Sequence, residues 1–192
     1  MSERSPRSGG SPAEATLDRL LSPADRKRIL DKIGAIEQAS SGEVRVHVTD
    51  RRVRDPLAAA ERTFAALGMT RTRLRNGVLV FLSLPSRRFA IVGDEGFDQA
   101  AGPEFWEPLR DALADRFAAG HYADGLLEVL ERVQAVLSQH FPHEQGDLNE
   151  LPDEISFPAP RRRGLAWIIV TGVAVTAGLL FLSWRLFFSG WS

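Results

Sequence analysis

The sequence predicts an α/β domain, an α/β/α sandwich with a small mixed β-sheet flanked by helices, followed by one C-terminal transmembrane helix. Three observations carry this. Glu43-Val-Arg-Val-His-Val-Thr49 alternates strictly, with Val44, Val46 and Val48 on one face, the period of a strand. Val78-Leu-Val-Phe-Leu-Ser-Leu84 is a nearly continuous apolar run, the signature of a strand buried on both faces. Gly164 to Trp184 runs 21 residues without a charge, which at about 1.5 Å of helical rise per residue crosses a ~30 Å hydrocarbon core.

Taken in order, residues 1–18 are rich in Ser, Pro and Gly and lack periodicity, so they are expected to be disordered, with order beginning at Leu20 or Leu21. Ser22-Pro23-Ala24-Asp25 offers an N-cap serine, a proline at the first helical position and an acid at the third. Ile29, Ile33 and Ile36 then repeat at helical spacing, which predicts a first helix over 23–40. After the alternating strand, Asp55-Pro56 caps a second helix with Leu57, Ala60, Phe64 and Leu67 on one stripe and Gly68 at its end. Asn76-Gly77 opens the apolar strand, Pro85 to Arg88 turns, and Phe89-Ala-Ile-Val92 returns antiparallel to Gly93-Asp94-Glu95-Gly96. A third helix over about 104–119 sets Phe105, Leu109, Leu113 and Phe117 four apart, and a fourth over 122–139 aligns Leu126, Leu127, Leu130, Val133 and Leu137. Gly120-x-Tyr122-x-x-Gly125 reads as the turn between them, with Gly120 at positive φ. The first two strands should pair in parallel through a right-handed crossover, and the second and third should form a hairpin.

The organisation is thus a disordered N-terminus (1–18), an α/β domain (19–141), an acidic, proline-rich linker ending in Arg161-Arg162-Arg163 (142–163), a transmembrane helix (164–188) and a short tail (189–192). Trp167 and Trp184 stand inside the ends of the span, where indoles favour the interface. Three arginines precede the span and Arg185 follows it, which puts the domain on the cytoplasmic side, and the first residues have no apolar stretch of signal-peptide type. The expected partners are the bilayer and another membrane protein. Ala174-x-x-x-Gly178 permits close helix approach and a homodimer through the span.

A formal charge of -1 hides an asymmetry: residues 43–75 carry eight arginines against four acids, and 94–154 carry fifteen acids against three arginines. An interrupted basic footprint of this kind argues against nucleic acid as a partner. Without cysteine there is no disulfide, thiolate nucleophile or thiolate-bound zinc. Nothing in the chain calls for an organic cofactor.

The candidate metal ligands are Asp94, Glu95 and Asp98, three carboxylates in what reads as a glycine-bent turn just past a strand. Asp50 and Asp55 are expected to converge on the same edge. Such an oxygen-rich group suits Ca²⁺ or Mg²⁺. A phosphatase would need a metal there, with Arg51, Arg52 or Arg75 clamping phosphoryl oxygens, since no phosphate-binding loop or Asp-x-Asp pair is present. His47, His121, His140 and His143 form no catalytic constellation, and the catalytic residues stay unassigned. Phe105 and Trp106 read as core or as a partner surface.

Asn76-Gly77 leading into an apolar strand, Arg88-Phe-Ala-Ile-Val-Gly-Asp-Glu-Gly96, and Phe117-Ala-Ala-Gly-His-Tyr-Ala-Asp-Gly-Leu126 together resemble the TPM domain over about residues 22–141. Gly146-Asp-Leu-Asn-Glu-Leu-Pro-Asp-Glu154 is similar to the tail of bacterial members that end in a membrane segment. The family includes thylakoid-lumen repair proteins and nematode receptor modulators. The resemblance implies an α/β/α sandwich and either acid phosphatase activity, as in some plant relatives, or calcium binding and accessory roles, as in others. Typical extracytoplasmic members carry a signal peptide, and this sequence departs from them there. The expected function is a membrane-tethered, non-catalytic, calcium-binding accessory module, with a metal-dependent phosphatase as the alternative.

Overall fold

The computed structural model describes residues 12–143 together with 155–156 and 189–190. Its elements are helices α1 (Pro12–Leu20) and α2 (Pro23–Ala39), strand β1 (Val44–Thr49), helix α3 (Pro56–Ala66), strands β2 (Val78–Ser83) and β3 (Arg88–Gly93), and helices α4 (Glu95–Ala101), α5 (Trp106–Ala118) and α6 (Tyr122–His140). The two-residue strands β4 (Ile155–Ser156) and β5 (Ser189–Gly190) follow. A short 3-10 turn at Met69–Arg71 follows α3.

The sheet is mixed, in the order β4-β1-β2-β3-β5. β1 and β2 run parallel with Val44 opposite Val78 and Thr49 opposite Ser83. β2 and β3 run antiparallel with Val78 opposite Gly93 and Ser83 opposite Arg88. Val44, Val46 and Val48 of β1 and Val78, Val80 and Leu82 of β2 face one large core with α2, α5 and α6. Leu79, Phe81 and Ala90 face a smaller core made by Ala59, Ala60 and Phe64 of α3 with Met69. Helices therefore cover both faces, and every residue of β2 is buried, as its apolar run requires.

Local chemistry sets the helix ends. The Asp25 N–H donates to Ser22 Oγ at 3.1 Å and the Ser22 N–H donates to the Asp25 carboxylate at 3.3 Å, a reciprocal capping box at the start of α2. Pro108 falls in the first turn of α5, where its missing N–H costs no hydrogen bond. Gly120 takes φ 79° between α5 and α6, and Tyr122 packs on Phe117 with ring centroids 5.3 Å apart.

Two expectations are corrected. Helix begins at Pro12, inside the stretch expected to be disordered. Leu17 and Leu21 are both buried and surround an apolar cavity with Leu82, Leu84, Phe117 and Leu126, so the apolar end of this helix is held by the core. The glycine-bent turn after β3 is instead the start of α4, with Asp94 as its N-cap. Among the described residues no helix is long and apolar enough to cross a membrane. The expected span over 164–188 and most of the linker lie outside them.

Candidate functional site

The acidic segment that closes β3 is built by close backbone approach. The Asp94 N–H donates to the Gly77 carbonyl at 2.8 Å, and the Gly96 and Phe97 N–H groups both donate to the Arg75 carbonyl, at 2.8 and 3.1 Å. Arg75 presents that carbonyl from the left-handed region, at φ 53°. Gly96 comes so near that a Cβ there would stand 2.2 Å from the Leu74 carbonyl oxygen, which only glycine permits. The loop before β2 and the first turn of α4 are thereby fastened together.

Side chains complete the junction. Arg75 Nε and one terminal guanidinium nitrogen donate to the two Asp94 oxygens, each at 2.7 Å, in the bidentate geometry that makes arginine–carboxylate pairs strong. Asp94 is 6% exposed and the Arg75 side chain 47%, so the pair sits at the rim of the core. Asp94 Oδ1 also accepts the Glu95 N–H at 3.0 Å. Beside it, Asp98 is half-buried with its Oδ1 enclosed and unpartnered. Burial, with the Asp94 carboxylate nearby, pushes the Asp98 carboxyl up to about 7, and a hydrogen bond from Trp106 draws it part of the way back. Trp106 is 3% exposed and packs on Phe97 and Phe105 at centroid distances of 5.5 and 5.0 Å, so it belongs to the core and not to a partner surface. Asn76, fully buried, ties the same loop to the start of β1 by donating to the Ser41 carbonyl at 3.1 Å.

This geometry separates the residues that sequence reasoning grouped. Asp94 and Asp98 are neighbours, but Glu95 is exposed and Asp94 is committed to Arg75. Asp50 and Asp55 do not converge on them. The register puts the end of β1 beside Ser83 and Arg88, whereas Asp94 follows Gly93 beside Val78, so the two groups lie at opposite ends of the sheet, about 17 Å apart along the strands. The antiparallel return of β3 is the reason: its carboxyl end meets the amino ends of β1 and β2. Asp55 caps α3 by accepting the Ala58 N–H at 3.0 Å. Among the described residues no group of three or more Asp, Glu or His side chains is arranged to hold a metal ion. Arg51 and Arg52 share the end of Asp50, far from Asp98, and Arg75 alone of the three named clamps reaches the acidic cluster.

A family model for the TPM domain matches residues 16–136. The chain belongs to the TPM domain family. The fold of the TPM domain agrees with solved relatives. The BA42 protein from the psychrophilic bacterium Bizionia argentinensis is 33% identical, aligns with 72% of this chain and 95% of its own, and superposes with a TM-score of 0.65. The N-terminal domain of a protein from P. gingivalis is 25% identical over 65% of this chain and 83% of its own, with a TM-score of 0.56. Among curated proteins none matches the chain.

The opposite end of the TPM domain joins the loop after β1 to the segment from Pro85 to Arg88, which sequence reasoning treated as a plain turn. Ser83 Oγ donates to the Arg51 carbonyl at 2.7 Å, the Val53 N–H donates to Ser86 Oγ at 2.8 Å, the Leu84 N–H donates to the Thr49 carbonyl at 3.2 Å, and Arg88 donates to the Arg54 carbonyl. The loop after β1 and the β2–β3 turn are stitched into one surface. The available signal was the pair of arginine runs, Arg51-Arg52-x-Arg54 just beyond the end of β1 and Arg87-Arg88 where the turn enters β3.

Proposed function

We propose that the chain is a membrane-tethered TPM domain that serves another membrane protein as a non-catalytic accessory or binding module. The observation that carries this reading is the Arg75–Asp94 clamp. The acidic segment after β3 spends its buried carboxylate, Asp94, on Arg75 and on the cap of α4, which is the work of a structural junction. A Ca²⁺ or Mg²⁺ ion at Asp94 and Asp98 would compete with Arg75 for Asp94 and would deprotonate Asp98. Cation binding at this junction is therefore weak and rises with pH. The tether rests on the uncharged stretch from Gly164 to Trp184 with its flanking arginines and tryptophans, and the cytoplasmic side on Arg161 to Arg163.

A metal-dependent phosphatase acting at the membrane surface is the second reading. One feature favours it: Asp98 is half-buried with its Oδ1 enclosed beside the Asp94 carboxylate, and burial there pushes its carboxyl up to about 7, the setting of a general acid or base. The full chain, purified in detergent, is titrated with Ca²⁺ and Mg²⁺ by calorimetry while phosphate-ester turnover is followed on the same sample. Background turnover with weak or no cation binding is the expected result. Cation-dependent turnover that Asp98→Asn abolishes would replace the first reading with the second.

Topology has its own test. A span over 164–188 carries residue 189 across the bilayer, whereas the pairing of Ser189–Gly190 with Arg88–Phe89 keeps it beside the domain. The chain has no cysteine, so single cysteines at Gln99 and Ser189 report cleanly. In intact cells an impermeant thiol reagent should reach position 189 and not position 99; labelling of both or neither overturns the span, and the reverse pattern overturns the cytoplasmic assignment.

A further inference from the structure

We infer that the arginine-bearing end of the sheet is a docking face for anionic lipid headgroups, so that the domain lies on the bilayer with this end down. The inference rests on the membrane-tethered reading above and adds an orientation and a contact surface to it.

Three observations converge on that end. The first is charge held outward: Arg51, Arg52, Arg54 and Arg87 are exposed and Arg88 is half-exposed, against the two carboxylates Asp50 and Asp55. Asp55 is occupied as the cap of α3. The second is rigidity. The bonds that fix the two loops run through Ser83, Ser86 and main-chain groups, and Arg88 bonds a carbonyl. The backbone that carries Arg51, Arg52, Arg54 and Arg87 is thus fixed by bonds that do not use those four side chains. The third is the path of the chain. Ile155 and Ser156 pair in parallel with Val46 and His47, so the chain at Ser156 heads toward the end of β1 from which Asp50, Arg51 and Arg52 follow. Only seven residues, 157–163, separate Ser156 from Gly164, a reach under about 30 Å even if fully extended, and three of the seven are arginines. The other end offers a different balance, with exposed Arg71, Arg73 and Arg75 sharing it with Asp94, Glu95 and Asp98 and with Arg75 already paired.

Basic side chains beside an anionic leaflet each strengthen attachment by roughly fivefold, and the effect fades within a Debye length of about 10 Å. A short tether that delivers the arginine end to the surface meets that distance requirement.

The full chain is reconstituted into vesicles of phosphatidylcholine alone or with phosphatidylglycerol, carrying a headgroup nitroxide quencher. It bears a fluorophore on a single cysteine at Pro85, in the arginine turn, or at Gln99, on α4 at the other end. Quenching at position 85 should exceed that at 99 by severalfold in the anionic vesicles, fall in neutral ones, and be lost in about 1 M salt, where the Debye length shrinks to about 3 Å. A variant with Arg51, Arg52, Arg54 and Arg87 changed to Gln should lose the difference, and the same four changed to Lys should keep it, which separates lost charge from a damaged fold. Equal quenching at both positions, or no dependence on anionic lipid, overturns the docking face while leaving the tether intact. Failure of the chain to float with neutral vesicles overturns the tether itself, and the docking face with it.

Discussion

The two ends of this sheet handle charge in opposite ways. At the end where β3 closes, Arg75 and Asp94 satisfy each other across two 2.7 Å hydrogen bonds, Asp98 is enclosed, and backbone from Leu74 to Gly77 presses against the first turn of α4. At the end where β1 closes, serine hydroxyls, carbonyls and Arg88 do the fastening, while Arg51, Arg52, Arg54 and Arg87 are exposed. Charge that is paired and half-buried contributes to holding the fold, and removing one partner costs the desolvation of the other. Charge left in water contributes little to stability and is available for association. Inspection of composition alone would rank the acidic end as the functional one, whereas the geometry makes it a junction.

Substitutions test that contrast. Gly96→Ala should be the most damaging single change, because its methyl collides with main-chain oxygens of Leu74 and Arg75 that cannot rotate away; a loss of about 3 kcal/mol or more in denaturant unfolding is expected. Asp94→Ala removes the clamp and the α4 cap together and should cost about 2–3 kcal/mol. If its unfolding midpoint were unchanged, the acidic end would not be a structural junction and the site would reopen as a binding centre.

At the other end, Ser83→Ala should cost about 1 kcal/mol, the value of one buried hydroxyl bond to a carbonyl. The pH dependence of stability is of similar size. The Asp98 carboxyl is raised from 3.8 to about 7 in the fold, so its contribution is full below about 4 and is lost as pH rises through 7. His47, buried on β1 beside Phe81, is lowered from 6.5 to about 4, so its contribution is full above 6.5 and is lost as pH falls toward 4. The two slopes oppose each other. Asp98→Asn should therefore uncover a rise in stability from pH 4 to 6.5 and should stabilise the domain above pH 7 by on the order of 1 kcal/mol, discounted for partial solvation. Thermal melts across that range read this directly. Smallest of all, the four-arginine change to Gln should leave the melting curve within about 0.5 kcal/mol of the parent. A larger loss would mean that those side chains hold the loops.

Most of the scaffold was legible because its signals are local. The Ser22 capping box, the valine alternation of β1 and the apolar run of β2 each depend on a few adjacent residues, and all fold as they read. Helix α4 was not legible, since Gly96 inside a seven-residue segment looks like a turn unless one knows that the Leu74 carbonyl occupies the space of its side chain. Helix α1 was missed because only Leu17, Leu20 and Leu21 mark its buried face within a polar, Pro-rich stretch. The expected convergence of Asp50 and Asp55 on Asp94 failed at a longer range. Asp50 and Asp94 each follow a strand, but which end of the sheet a strand's end reaches depends on whether it runs parallel or antiparallel to its neighbours. The antiparallel return of β3 is what carries Asp94 to the amino ends of β1 and β2.

Among the three long strands, β2 alone has six-residue partners on both sides, and its side chains are covered by α2, α5 and α6 above and α3 below. Its amides from Leu79 to Leu82 should be the slowest in the molecule to exchange with deuterium, opening only when the whole domain unfolds. Exchange in α1 should be faster, because that helix takes no part in the sheet and Leu17 is its one residue buried among those described. The domain should then keep a protected interior when its first helix opens.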